Sequence, residues 1–178
     1  DVLVYQTDVL TEDVVVAGPI IADLFVSPTG TDADWVVKLI DVYPDSLQNG
    51  ENTPDGVVLG GYQQMVRSEI FRGRFRDSYE VPKPFEPGRV TKVEFPLQDV
   101  LHTFKAGHRL MVQIQSTWFP LFDRNPQTFV PNIFKADEAD FVVADHRVWH
   151  SPDSGSTLEV KVAPAAAGRL VEGDYRSE

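Results

Sequence analysis

Alternation at period two runs through most of this chain, and it restricts the fold more than any other feature. In 109–116 (RLMVQIQS), Leu110, Val112 and Ile114 share one face, while Arg109, Gln113 and Gln115 take the other; Met111 is the apolar exception. In 90–97, Val93, Phe95 and Leu97 oppose Lys92 and Glu94. In 157–163, Leu158, Val160 and Val162 oppose Glu159 and Lys161. Successive side chains of a strand point to opposite faces, so this pattern describes half-buried antiparallel strands. Segment 34–43 (DWVVKLIDVY) is apolar on both faces and reads as a central strand covered on both sides. Segments 2–7, 13–17, 20–27, 62–71 and 140–150 read as strands from their β-branched and aromatic content. Helical character is confined to a short turn near 134–140. Many strands and almost no helix point to an all-β sandwich or jelly roll.

Proline and glycine set the punctuation. Gly18-Pro19 is expected to separate two strands, and Pro28 with Gly30 another pair. Residues 44–56 are polar and acidic and read as a solvated excursion. Residues 72–89 hold three prolines and two glycines, so no regular element runs through them. The alternation ends near 164, and 165–178 reads as a loosely held tail beside a 1–164 domain. A chain of 178 residues with 3 Trp, 5 Tyr and 11 Phe can build one sizeable core without staples.

Composition removes several chemistries. The chain has no cysteine, which excludes disulfides, thiolate zinc sites and cysteine nucleophiles and leaves the compartment open. A formal net charge of -11 makes nucleic acid and anionic membranes poor partners. The apolar runs are too short to span a bilayer as a helix. A hydrolase elbow of the G-x-S-x-G kind is missing; Ser154-Gly155-Ser156 reads as a hairpin turn instead. His146 and His150 fall four residues apart on one expected strand, about 13 Å, too far to share a metal. They and the pair His102 and His108 read as structural. No cofactor or metal is expected.

Asp32 and Asp34 open a strand, with Asp41 further along it. Such aspartates terminate turns or pair with arginine, and they can also ligate Ca²⁺ or touch another domain. Arg67, Arg72, Arg74 and Arg76 sit among Glu69, Asp77 and Glu80, and in so acidic a chain they read as internal ion-pair partners. Trp118, Phe119, Phe122 and Phe129 surround Asp123-Arg124-Asn125-Pro126, an aromatic loop suited to stacking on a sugar or acyl group or to packing on a neighbouring domain.

Four segments in order carry a resemblance: 11–19 (TEDVVVAGP) with the strand ADLFVS after it, 31–44 (TDADWVVKLIDVYP), 61–76 (GYQQMVRSEIFRGRFR) and 101–126 (LHTFKAGHRLMVQIQSTWFPLFDRNP). Together they resemble the C-terminal domain of the X-Pro dipeptidyl-peptidase, cocaine esterase and α-amino-acid ester hydrolase family, over roughly residues 2–162. The resemblance implies a jelly-roll β-sandwich, galactose-binding-like and mostly antiparallel. It also implies a parent serine hydrolase with a Ser-His-Asp triad on an upstream α/β-hydrolase domain, acting on esters or amides of small acyl or amino-acyl groups. No catalytic residue transfers to this chain, which lacks the nucleophile and triad. What transfers is a role: packing in cis on the catalytic domain and helping to wall its cleft. The loops expected to do so offer Asp32, Asp34, Trp35, Tyr79, Phe85, Trp118, Phe119, Phe122, Asp123, Arg124 and Asn125. A carbohydrate-binding module is the alternative, and a stand-alone β-sandwich metalloenzyme lacks a credible ligand set. Self-association into a homo-oligomer is left open.

Overall fold

The computed structural model describes residues 2–164. Ten strands follow in chain order: β1 (Leu3–Gln6), β2 (Val14–Pro28), β3 (Asp34–Val42), β4 (Gln63–Arg72), β5 (Thr91–Phe104), β6 (Arg109–Gln115), β7 (His146–Val148), β8 (His150–Ser151), β9 (Ser154–Gly155) and β10 (Thr157–Val162). One sheet has the order β1-β6-β3-β4 and the second β10-β2-β5, with β7 on β2. All pairings are antiparallel. β8 and β9 form a small hairpin. The architecture is an all-β sandwich, as the alternation requires. Short 3-10 turns at Ile133–Lys135 and Glu138–Asp140 occupy the segment expected to turn.

The core lies between the sheets. β2 contributes Val16, Ile20, Ala22, Leu24 and Val26; β5 contributes Val93, Phe95, Leu97, Val100 and Phe104; β3 contributes Trp35, Val37 and Leu39. On β3 the outward-facing Val36 and Ile40 are buried too, the two-sided covering its composition demands.

Two expectations are corrected. Gly18-Pro19 does not separate two strands: β2 runs through it, with Gly18 at φ 105. The register slips there because β5 holds one extra residue, so that Gly18 faces Val100 but Ile20 faces Leu97. Gln98 and Asp99 are both exposed at this bulge, and the inward set on β5 changes from odd to even numbers. At β10 the register shifts between Val160 and Val162, and Val162, opposite the inward Val16 on the same face as Leu158 and Val160, is exposed at the end of the strand. Segment 140–150 is strand only at His146–Val148 and His150–Ser151. Its β-branched residues lack alternation, and Val143 is fully exposed. The tail after 164 lies outside the described residues.

The two side seams of the sandwich differ. Between β4 and β5 side chains bridge the seam: Arg67 Nε donates to the Asp99 carbonyl at 2.7 Å, Gln98 donates to Glu69 at 3.1 Å, and Phe71 stacks on Phe95 with centroids 5.0 Å apart. Between β1 and the β7–β10 edge, Tyr5 Oη and His150 Nε2 meet across the rim at 2.9 Å.

 Those two rings meet edge to face with centroids 5.1 Å apart.

Gly73 marks a place where the backbone has no room for a side chain. A Cβ there would stand 2.6 Å from the Phe85 ring and 2.8 Å from the Ala33 carbonyl oxygen. Phe85 is buried and cannot swing out, and the Ala33 carbonyl accepts from Gly73 N at 2.9 Å. Gly73→Ala is expected to destabilise the domain by about 1–3 kcal/mol through overpacking, read as a lower urea midpoint at unchanged slope.

Candidate functional site

One end of the sandwich gathers the β2–β3 turn, the end of β4 and the loops that follow β6. Two buried carboxylates hold it together. Asp32 is fully buried, and its Oδ2 accepts from Arg74 Nε at 2.8 Å and from Nη2. Arg74 Nη1 donates to the Val130 carbonyl at 2.9 Å, and its guanidinium lies 4.6 Å from the Phe129 ring centroid. Asp34 bonds Arg72 Nη1 at 2.7 Å through one oxygen and Asn125 Nδ2 at 2.8 Å through the other. Asn125 Oδ1 in turn accepts from Gln127 N at 2.8 Å, which ties the distal loop to the start of β3. The Gln127 carbonyl also accepts from Thr31 N and Asp32 N. Gly30 permits this approach, because any Cβ there would meet that carbonyl.

The reading of Asp32 and Asp34 as arginine partners holds, and so does internal pairing for Arg72 and Arg74. Their carboxylates come from the β2–β3 turn, not from Glu69, Asp77 or Glu80. Arg76 donates instead to the carbonyls of Gly73, Lys83 and Pro84, and Asp77 pairs with Lys83. Burial pushes the Asp34 carboxyl up to about 6, with the nearby Arg72 charge and the Asn125 hydrogen bond pulling the other way.

The expected site residues divide by burial. Asp32, Asp34, Trp35, Phe85 and Asn125 are closed off inside the domain. Tyr79, Phe119, Phe122, Asp123 and Arg124 are exposed, and Trp118 is half-buried beneath Lys38 Nζ, which lies 4.7 Å from its ring centroid. Arg124 joins two of the exposed aromatics, with its guanidinium 5.8 Å from the Phe119 ring and 5.4 Å from the Phe141 ring. Leu121, Phe134, Val142 and Val143 are exposed in the same loops. Tyr79 stands apart from Arg124 beside Phe71 and Phe75. The first group therefore braces loops from behind, and the second faces outward.

Two clusters were not anticipated. Asp41 is buried and bonds His102 Nε2 at 2.9 Å through Oδ2 and His108 Nδ1 at 2.8 Å through Oδ1. The signal was present: Asp41 continues the inward series Trp35, Val37 and Leu39, and a carboxylate at an inward position needs partners. His146, on β7, lies against Trp35 with ring centroids 5.1 Å apart. Burial holds its pKa below the ordinary histidine value, with Asp145 opposing. Among the described residues no group of three or more histidine, aspartate or glutamate side chains is placed to hold a metal ion.

Two packed antiparallel sheets with an arginine-braced loop end make this a β-sandwich domain, and the comparisons give its family. Residues 1–159 match the X-Pro dipeptidyl-peptidase C-terminal non-catalytic domain, and the chain belongs to that family. It is 38% identical over 162 residues to a cocaine esterase from Rhodococcus sp. (strain MB1 Bresler), covering 91% of this chain and 25% of the esterase. It is similar to the crystal structure of an aminopeptidase from a marine sediment Thaumarchaeota archaeon, with 50% identity and a TM-score of 0.84 over 91% of this chain and 26% of that one. An α-amino acid ester hydrolase structure gives 46% identity and a TM-score of 0.85 over 92% of this chain and 26% of that one. The chain thus spans about a quarter of the length of these relatives.

Proposed function

We propose that this chain serves as the C-terminal domain of a larger serine hydrolase, docking in cis on an α/β-hydrolase catalytic domain and helping to shape its active-site cleft. The observation that carries the reading is the Arg124 patch. Phe119 and Phe141 flank one guanidinium on an outward surface, held by a buried network that this exposed group does not itself need. Arginine and aromatic side chains in this arrangement are the enriched constituents of protein interfaces. The share of the relatives left uncovered supplies a partner of suitable size. The substrates that fit the reading are esters or amides of small acyl or amino-acyl groups, the class indicated by relatives named cocaine esterase, aminopeptidase and α-amino acid ester hydrolase.

Hydrogen exchange compares the 178-residue chain with the longer protein that this reading requires. Amides of 117–124 and 141–143 are expected to exchange at least about tenfold more slowly in the longer protein, since docking removes them from open solvent. Equal exchange in both would sink the docking face. The isolated chain is expected to hydrolyse no p-nitrophenyl ester and to leave a fluorophosphonate probe unreacted; labelling would place the nucleophile here. Retention on a polysaccharide column with quenched Trp118 emission would reassign the same patch to glycan binding.

A further inference from the structure

The loop between β3 and β4 carries an Asn49-Gly50 pair. Its base is pinned by backbone: Leu47 N and Gly61 N both donate to the Pro44 carbonyl, at 3.0 and 3.2 Å. Nearer the tip, the Asn49 side chain bridges the two arms. Asn49 Nδ2 donates to the Val57 carbonyl at 2.7 Å, and Asn49 Oδ1 accepts from Leu59 N at 2.9 Å. The carboxamide thus grips the backbone on either side of Val58, as a peptide unit of a neighbouring strand does. Val58 itself is 69% exposed, so little packing reinforces the bridge.

An asparagine followed by glycine is open to attack by the next backbone nitrogen, because glycine puts no side chain in the way. Both residues are exposed here. A Cβ on Gly50 would find only Thr53 Oγ1, at 4.0 Å, and the Gly50 N–H makes no hydrogen bond among the described residues. The other asparagines are worse placed: Asn52 and Asn132 precede β-branched Thr53 and Ile133, and Asn125 precedes Pro126, which has no N–H. The reaction is a ring closure. Gly50 N attacks Asn49 Cγ; the new C–N bond forms as the Cγ–Nδ2 bond breaks, and ammonia leaves with the Gly50 amide proton. Water then opens the cyclic imide at either carbonyl, which leaves aspartate or isoaspartate at position 49. Cγ passes through a tetrahedral state on the way, so the planar carboxamide must release Val57 and Leu59. Its two hydrogen bonds therefore stabilise the reactant alone and slow the reaction.

We propose that Asn49 is a latched deamidation site: the closed loop protects it, opening of the loop exposes it, and conversion leaves the loop unable to close as before. After conversion an oxygen stands where Nδ2 stood, so two acceptors face each other where Asn49 met Val57. The new negative charge joins Asp45, Glu51 and Asp55 in the same loop of a chain that already carries -11. Isoaspartate also lengthens the backbone by one carbon ahead of Gly50. Loop opening is thereby recorded as a permanent change of charge.

The test incubates the 178-residue chain in mildly alkaline buffer and follows position 49 by peptide mapping, which reads the mass gained when the amide becomes an acid. The same chain unfolded in urea is the reference, and there Asn49 is expected to convert ahead of Asn52, Asn125 and Asn132. In the folded chain Asn49 is expected to convert about tenfold more slowly than in the unfolded one, the effect of giving up two hydrogen bonds of ordinary net worth. Gly56 sits at φ 82 in the turn that ends on Val57, with open space around it, so Gly56→Val strains that turn alone. This variant is expected to recover most of the tenfold. Asn49→Asp, which imitates one product, is expected to speed hydrogen exchange at the Leu59 amide about tenfold. A folded rate equal to the unfolded one, an unchanged rate in Gly56→Val, or unchanged exchange at Leu59 in Asn49→Asp would each overturn the latch.

Discussion

Replacing Arg74 by methionine is expected to cost the domain about 3–5 kcal/mol, the range for stranding one member of a buried ion pair. The side chains of Arg74 and Asp32 are 5% and 0% exposed, so water cannot hydrate the carboxylate that remains. Methionine fills much of the arginine stem volume, which keeps cavity formation small. The Val130 carbonyl loses its donor as well. The double variant Arg74→Met, Asp32→Leu removes both charges and is expected to recover most of the loss, because a buried pair gives little net stability over apolar replacements. Urea unfolding checks both, with the midpoint of the single variant far below wild type and that of the double variant between them. A single-variant loss under about 1 kcal/mol would show that the pair is not desolvated as the structure has it.

Asp34 provides the second large effect, and it depends on pH. Its folded-state pKa of about 6 lies above the ordinary value of 3.8, so the folded chain holds this proton more tightly than the unfolded chain. Below 3.8 both states are protonated and Asp34 takes nothing from stability. As pH rises from 3.8 to about 6 the unfolded state ionises first, and stability falls. Above that window the penalty is constant, at ~3 kcal/mol. Asp34→Asn removes the titration while keeping an oxygen for Arg72. The stability of wild type relative to this variant is therefore expected to decline by ~3 kcal/mol from acid to neutral pH. A difference that stays flat, or rises with pH, would mean that Arg72 outweighs burial and holds the carboxylate ionised.

Much of the fold was legible because burial in a sandwich follows parity. Val93, Phe95 and Leu97 are inward on β5, and Leu110, Val112 and Ile114 on β6, as their alternation requires. Parity changes on β5 at the bulge of Gln98 and Asp99, opposite Gly18-Pro19, and the register shifts again between Val160 and Val162 on β10. Those bulges depend on the partner strand, which a local window does not contain. At the loop end, arginine pairing was legible from residue type and net charge, but its partners were not. Asp32 and Arg74 stand 42 positions apart and Asp34 and Asn125 stand 91 apart, so only the closed sheet brings them together. His146 and His150 were read by their spacing along one strand, and His102 and His108 only as structural. Their actual partners, Asp41, Trp35 and Tyr5, lie on other strands, beyond any spacing rule.

The β2–β5 ladder also fixes when this domain can fold. It pairs Val14 with Phe104 and Val26 with Thr91, so it closes a loop of at least 64 residues before its first contact pays back the lost chain entropy.

 The 64 positions between Val26 and Thr91 set that minimum. Non-local pairing of this kind places folding in the slow, millisecond-to-second class. During synthesis β2 emerges early and waits for β5, while its stretch VVVAGPIIADLFV presents apolar residues with a single charge. A ribosome that pauses before Phe104 therefore holds a nascent chain whose long apolar strand lacks its full partner. The vulnerable interval lies in making the chain, before any of its surfaces exist.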